Sequence, residues 1–208
     1  YQGKLGAEYF GWQREGAQLG ARLEEPKFAP HVGAGDVLVE FGCGTGYLLE
    51  RLPAREKVGV EVNDVARTEA AARGLRLVAA TDELPAGCAD VAISNHALEH
   101  TLSPLAELRE LHRVLKAGGR LVLWLPLDDW RTQKRADPAD RNHHLYTWTP
   151  QLLANLLDEA GFEVHECRVV AYAWPQFHEQ LFRLLPRRAF DAVARAWADG
   201  DHEPGRKL

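Results

Sequence analysis

Apolar positions along this chain switch between short unbroken runs and longer stretches with a helical beat. The runs lie within Val37–Phe41, Lys57–Val60, Leu75–Ala79, Asp90–Asn95 and Gly119–Pro126, each bounded by glycine or polar residues. Continuous apolar runs of this length read as strands buried on both faces of a parallel sheet. Between them, Tyr47–Leu52 reads as a helix, and Asn63-Asp64 caps a second, Val65–Arg73, that Gly74 ends. Ser103-Pro104 opens a third, with Leu105, Leu108, Leu111 and Leu115 on one face and Lys116-Ala117-Gly118 at its end. Thr149-Pro150 opens a fourth, with Leu152, Leu153, Leu156 and Leu157 inward and Gly161 as its stop, and Phe162–Val170 reads as a sixth strand. Strands alternating with capped helices predict an α/β fold, a doubly wound and mostly parallel sheet with right-handed crossovers. No seventh strand is recognisable after Tyr172.

The ends follow a different pattern. Residues 1–25 are aromatic-dotted and polar, predicting one helix that stops before Pro26, with Pro30 extending the linker. Trp174–Trp197 is helical in pattern, with Phe177, Leu181, Leu184, Phe190, Val193 and Trp197 apolar and four arginines interleaved. The last eight residues read as a frayed terminus.

Composition narrows the class. A chain of 208 residues with 46% hydrophobic content suffices for one substantial core. A formal charge of −5 gives no footprint for nucleic acid, and none is expected as a partner. Cys43, Cys88 and Cys167 make an odd set without a C-x-x-C pair, so neither a disulfide framework nor a zinc site follows. A reducing cytosol, hence a cytoplasmic setting, is the simplest expectation. No run approaches the roughly 20 apolar residues of a transmembrane segment, and no signal-peptide pattern is visible.

The chemistry gathers at Asp36–Gly46, where an apolar strand runs into Glu40 and then Gly42-Cys43-Gly44-Thr45-Gly46. Glycines there free φ and remove side chains, so backbone approaches a nucleotide-like ligand closely. A dinucleotide fingerprint needs its third glycine at position 47, which is Tyr47. This argues against an NAD(P)-dependent oxidoreductase. Glu61, fifteen residues past Gly46, ends the next strand, where a ribose diol binds in such folds. Together these residues resemble motif I and the acidic strand-2 tip of class I S-adenosylmethionine-dependent methyltransferases. The stretches Thr81-Asp82-Glu83-Leu84-Pro85, Asp90–Asn95 and Arg113–Gly119 are similar to further segments of that family, and the likeness covers roughly positions 36–170.

The resemblance implies a Rossmann-like core over 36–170, an N-terminal helical lid over 1–35 and a C-terminal helical tail over 171–208, as one domain. It implies S-adenosyl-L-methionine as cofactor, held by Glu40, Gly42, Cys43, Gly44, Gly46, Glu61, Val62, Thr81, Asp82, Asn95 and His96. Tyr9 and Trp12 are candidate lid residues. The family's adenine-binding acid falls on Ala80, so Thr81 or Asp82 is expected to supply that contact. His96 and His100 are spaced i, i+4, which alone suggests metal ligation. The family's Leu-Glu-His element after the fourth strand argues for a structural and pocket-edge role instead, and no metal is expected.

Positions 127–148 form a linker of 22 residues, long for a compact domain and therefore a candidate for function. It carries Asp128, Asp129, Trp130, Arg131, Arg141, His143, His144, Tyr146 and Trp148. Aromatics mixed with polar groups suit a polyhydroxylated acceptor, bound by His100, Arg141, Tyr146 and Trp148. Methylating a hydroxyl also requires removal of its proton, which makes His143 and His144 the candidate general bases. The expectation is methyl transfer from S-adenosylmethionine to a small polar acceptor, a sugar or glycan precursor first. A non-catalytic module that only binds the cofactor is the rival. Methylation of nucleobase amino groups is disfavoured, because strand four ends in Asn95-His96-Ala97-Leu98 rather than an N-P-P-Y-like tetrad. Nothing in the sequence selects an oligomeric state.

Overall fold

The structure is a computed structural model that describes residues 3–127, 134–140, 142–170, 174–175 and 177–199, with side chains at 3–5, 7–10, 12–13, 15 and 199 outside that description. The chain divides into two compact units, one of residues 1–127 with 139–164 and one of 128–138 with 165–208.

The larger unit is built on a parallel sheet of β1 (Val37–Phe41), β2 (Glu56–Val60), β3 (Arg76–Val78), β4 (Ala89–Asn95) and β5 (Leu115–Trp124) in the order β3-β2-β1-β4-β5. The chain steps outward from β1 to β3, then returns to the far side of β1 for β4. The carboxyl ends of β1 and β4 therefore flank the point where the winding reverses, the crevice in which such sheets bind ligands. Side chains alternate across the sheet. Leu38, Val91 and Ile93 enter one core with Phe28, Leu48, Leu49 and Leu52, whereas Val39, Phe41 and Ala92 enter the other with Leu108, Leu111 and Trp148. Both faces are covered, which explains why the strands read as unbroken apolar runs.

Helices α1 (Gly3–Phe28), α2 (Tyr47–Arg51), α3 (Asp64–Ala72), α4 (Pro104–Val114) and α5 (Pro150–Glu159) complete this unit. Helix α1 runs through Pro26 to Phe28 instead of stopping before the proline. Burial of Phe28 against the sheet offsets the hydrogen bond that Pro26 cannot donate. The side chains of Tyr9 and Trp12 lie outside the described residues. Asn63 caps α3 by accepting from the Val65 and Ala66 N–H groups, and Thr149 caps α5 by accepting from Leu152, both as the sequence predicts. Ser103 makes no side-chain cap, so proline at N1 is what starts α4.

Three expectations are corrected. Helix α4 ends at Val114, and Leu115 through Gly118, read as helix end, already belong to β5. Leu152 is exposed rather than inward; only Leu153, Leu156 and Leu157 pack on the core. Residues 162–170 form no strand. The Phe162 N–H donates to the Leu157 carbonyl and its ring meets His112 edge-on at 5.0 Å, so the chain leaves α5 in a closed cap. Val164 and Val169 stay exposed beyond it.

The smaller unit contains α6 (His178–Leu184) and α7 (Arg187–Asp199), within the stretch that the pattern marks as helical. Pro186 separates them, as a residue without an N–H donor does. Phe182 and the fully buried Phe190 meet edge-on at 5.2 Å, with the Arg187 guanidinium near both rings. No described helix is long and apolar enough to cross a membrane.

One glycine in β2 leaves no room for a side chain. A Cβ on Gly59 would overlap Cys43 Sγ and sit 2.6 Å from Leu77 Cδ1. Gly59→Ala is expected to destabilise the fold by about 1–3 kcal/mol, lowering the melting midpoint by about 2–4 °C per kcal/mol. Thermal unfolding followed by circular dichroism checks this; an unchanged midpoint would show that Cys43 yields freely.

Candidate functional site

The turn after β1 is held by its own backbone. Gly42 and Cys43 donate to the Val60 carbonyl at 2.9 and 3.1 Å, and Gly46 donates to the Cys43 carbonyl at 2.8 Å. Gly42, Gly44 and Gly46 all have positive φ, of 69°, 51° and 73°. A Cβ at Gly42 would also overlap that of Ala97, so both conformation and space require glycine there. Arg73 steadies the turn from α3, donating to the Thr45 carbonyl with its guanidinium 4.0 Å above the Tyr47 ring.

Glu61 closes the cradle. Its carboxylate accepts from the Gly44 N–H at 2.7 Å and from the Asn63 N–H at 2.8 Å, while Arg67 donates to its carbonyl at 2.7 Å. Burial raises its pKa, against the pull of the Asn63 and Gly44 N–H groups and the Arg67 charge. Val62, the next residue, is exposed. Asn63, read from sequence only as a helix cap, also donates to the Gly6 carbonyl at 2.8 Å. That bond, with the Arg14–Glu69 ion pair at 3.3 Å, lays α1 along α3 beside the cradle.

Glu40 is buried beneath this turn, and its Oε2 has no hydrogen-bond partner among the described residues. Desolvation pushes its pKa up to about 8, the Leu49 N–H opposing and the Glu61 charge adding to the rise. Cys43 is buried as well, and desolvation followed by the charges of Glu40 and Glu61 raises its thiol well above the ordinary range. It is a packing thiol, not a nucleophile.

Beyond β3 the chain turns through a short 3-10 helix, Thr81–Glu83. Glu83 Oε1 accepts from the Ala79 and Ala80 N–H groups at 3.0 and 3.1 Å. Thr81 is buried with Oγ1 unpartnered among the described residues, and Asp82 is exposed. Arg113 holds this turn from α4, donating to the Leu84 and Thr81 carbonyls at 2.9 and 3.1 Å. Its place in the Arg-Val-Leu-Lys segment was the only sequence signal for that role.

At the end of β4, Asn95 Oδ1 is buried and unpartnered among the described residues. His96 follows with φ of 52°, a strained left-handed conformation for a non-glycine residue. The turn Leu98–His100 then buries Glu99 completely. Glu99 Oε1 lies 3.9 Å from His96 Nδ1 and 3.8 Å from His100 Nε2. His144 reaches the same place, its ring edge-on to His100 at 5.0 Å. The returning loop is fixed by a Leu145 N–H bond to the Glu99 carbonyl at 2.9 Å and by the Tyr146 hydroxyl on the Leu102 carbonyl at 3.1 Å. Tyr146 stacks on Trp148, which is buried in the core. Burial lowers the His100 pKa to about 4, helped by the His144 charge and opposed by a hydrogen bond to the His143 backbone, so the ring is neutral at pH 7. His143 is exposed, its N–H donating to Asp140 Oδ2 at 3.1 Å.

Two constellations thus form where the winding reverses. One is the glycine turn with Glu40 and Glu61; the other is Glu99, His100 and His144 with His96 beside them. Glu99 was missed as a site residue, because its sequence shows only a turn acid. Asp128, Asp129, Trp130, Arg131 and Arg141 lie outside the described residues.

The methyltransferase-domain family model matches residues 8–167. The chain is 31% identical over 156 residues to a tRNA U34 carboxymethyltransferase of Marinobacter nauticus, covering 65% of this chain and 47% of that protein. It is 28% identical over 148 residues to a probable S-adenosylmethionine-dependent methyltransferase of Mycobacterium tuberculosis, covering 68% and 54%. The chain therefore spans about half the length of the curated relatives it matches. A solved chain from the complex of the Trm112 methyltransferase activator and a methyltransferase of Haloferax volcanii shares the fold, with a TM-score of 0.62 at 18% identity over 92% of this chain and 94% of that one. An unpartnered buried carboxylate oxygen and an unpartnered amide oxygen beside a glycine cradle fit a nucleoside that carries an amino acid, such as S-adenosylmethionine. With its sheet order, glycine turn and matched family model, this chain belongs to the methyltransferase-domain family.

Proposed function

We propose that this protein methylates a hydroxyl of a small polar acceptor, a sugar or glycan precursor, with Glu40, Glu61, Thr81 and Asn95 holding the cofactor and His144 serving the acceptor. Bound S-adenosylmethionine supplies a methyl group already activated by its sulfonium. The protein's own task is alignment and proton removal, and alignment alone is worth up to about 7–11 kcal/mol in favourable cases. The single observation that carries the reading is the half-buried His144 beside the neutral His100 at the carboxyl end of β4. An imidazole there is suited to take a hydroxyl proton. His143 is exposed and contributes through its backbone, so of the two candidate bases His144 is favoured. Tyr146, on the same loop, offers an apolar face of the kind sugars stack on. The net charge of −5 and the three free cysteines support a neutral acceptor and a reducing cytoplasm rather than an RNA partner.

The test is transfer of radiolabelled methyl from S-adenosylmethionine to a panel of nucleotide sugars and free sugars, with unmodified tRNA as comparison. A sugar acceptor whose turnover drops about 100-fold or more in His144→Ala, with KM for S-adenosylmethionine unchanged, is the expected result. Labelling of tRNA alone would overturn the acceptor class.

A further inference from the structure

We propose that Asn63 is a positioning residue that ties helix α1 to the cofactor cradle, so that the docking of α1 sets how tightly the protein holds S-adenosylmethionine. Resting on the reading of Glu61 as a cofactor ligand, this role goes beyond the helix cap. Three elements meet at the buried Asn63. Its N–H donates to Glu61 Oε1 at 2.8 Å, and its Oδ1 accepts from the Val65 and Ala66 N–H groups at 3.0 and 3.2 Å. Its Nδ2 donates to the Gly6 carbonyl at 2.8 Å. One residue therefore fixes the carboxylate, the first turn of α3 and the start of α1. Serine and aspartate cap helices about as well as asparagine does, but neither offers an oxygen to one helix and an amide N–H to another. The Gly6 bond is the part that needs asparagine.

Helix α1 is built to depend on such a tie. It contains five glycines in 26 residues, and glycine is a poor helix former. A Cβ on Gly11 or Gly16 would meet nothing within 4 Å, so packing does not call for glycine at either position. The second half of the helix is anchored by Ala21, Leu23 and Phe28, all buried. In the first half, the described polar ties to α3 and its cap are the Asn63–Gly6 bond and the Arg14–Glu69 ion pair. The Arg14 side chain is 64% exposed, and an ion pair so placed contributes little. The buried bond is the stronger of the two. A cofactor that engages Glu61 restrains the Asn63 backbone through the same carboxylate, and the Asn63 side chain passes that restraint to Gly6. Coupling of this kind is reciprocal: docked α1 favours the cofactor by the same factor with which the cofactor favours docked α1.

The experiment compares the full chain with Asn63→Ser, which keeps a neutral cap on α3 and loses the amide bond to Gly6. Calorimetry measures S-adenosylhomocysteine affinity, and amide hydrogen exchange with and without that ligand follows α1 from Gly3 to Arg14. In the wild type, the ligand should slow exchange across this half of α1. In Asn63→Ser, affinity should fall about 3–10-fold, the worth of one hydrogen bond, and the ligand should no longer slow exchange in α1. A role confined to capping α3 would leave the α1 response in place. Should Asn63→Ser fold poorly, Asn63→Asp, an equally good cap without the N–H donor, is read by hydrogen exchange alone. Glu61→Ala is titrated in parallel as the check on the cofactor reading. Loss of affinity in Glu61→Ala with an α1 response that is absent in the wild type, or retained in the Asn63 variants, would overturn the coupling and leave the cofactor reading standing. Undiminished affinity in Glu61→Ala would remove Glu61 from the cofactor site and the coupling with it.

Discussion

Replacing Glu61 by alanine should reduce S-adenosylhomocysteine affinity by at least about 30-fold, roughly 2 kcal/mol, the largest loss expected from any single change outside the glycine turn. The carboxylate accepts two backbone N–H bonds, one from the turn at Gly44 and one from Asn63 at the head of α3. Hydrogen bonds to a charged group are worth about 1.5–3 kcal/mol each, and truncation leaves both donors without their acceptor. The expected loss therefore combines the proposed ribose contact with a loosened cradle. Glu61→Gln separates the two, since its amide oxygen keeps an acceptor at the Gly44 or Asn63 N–H but carries no charge. Calorimetric titration with S-adenosylhomocysteine, with NAD as a non-binding control, measures both variants. Wild-type affinity in Glu61→Ala would remove the cradle from the cofactor site.

Glu40→Gln should raise stability above pH 8 and leave it nearly unchanged near pH 4.5. Burial raises the folded-state pKa of Glu40 to about 8 from 4.5. The folded protein thus holds a proton that the unfolded chain releases between those values. The stabilisation from that proton is fully present below pH 4.5 and is lost as pH rises through about 8. Glutamine has no proton to lose. The gap between variant and wild type should open across this window to about 3–4 kcal/mol at pH 8.5, a difference of order 10 °C in melting midpoint. A cost in function is expected alongside: with the proposed contact between the Glu40 carboxylate and the cofactor gone, affinity should fall even as the empty protein becomes more stable. Melting curves from pH 5 to 9 report the first effect and titration with S-adenosylhomocysteine the second. Parallel pH profiles would mean that Glu40 is ionised and partnered throughout.

His100 works in the opposite direction. Its folded pKa of about 4 lies below the ordinary 6.5, so the unfolded chain binds the extra proton between those values. That contribution to stability is complete above pH 6.5 and fades as pH falls toward 4.

The glycine turn and its two acids were legible because their determinants are local. A strand, three alternating glycines and an acid at the next strand tip are each written in a few consecutive residues, and the observed turn uses them in those places. The caps at Asn63 and Thr149 were legible for the same reason. Arg113 and Asn63 were seen in sequence, but their reach to the Thr81 turn and to α1 was not, since a long side chain's partner depends on which backbone passes nearby. The sixth strand failed on a related point: Phe162–Val170 has strand-like residues, but a strand exists only through a neighbour's ladder.

By itself the sequence determined the alternation of strands and helices, the glycine turn with Glu40 and Glu61, and hence the family and its cofactor. Only the tertiary structure decided that Glu99 is buried, that His144 rather than His143 turns inward, and that both meet His100. Periodicity reports the spacing of side chains along one element. It carries no information on which residue of a distant loop closes over that element, because packing and long-range hydrogen bonds select the contact.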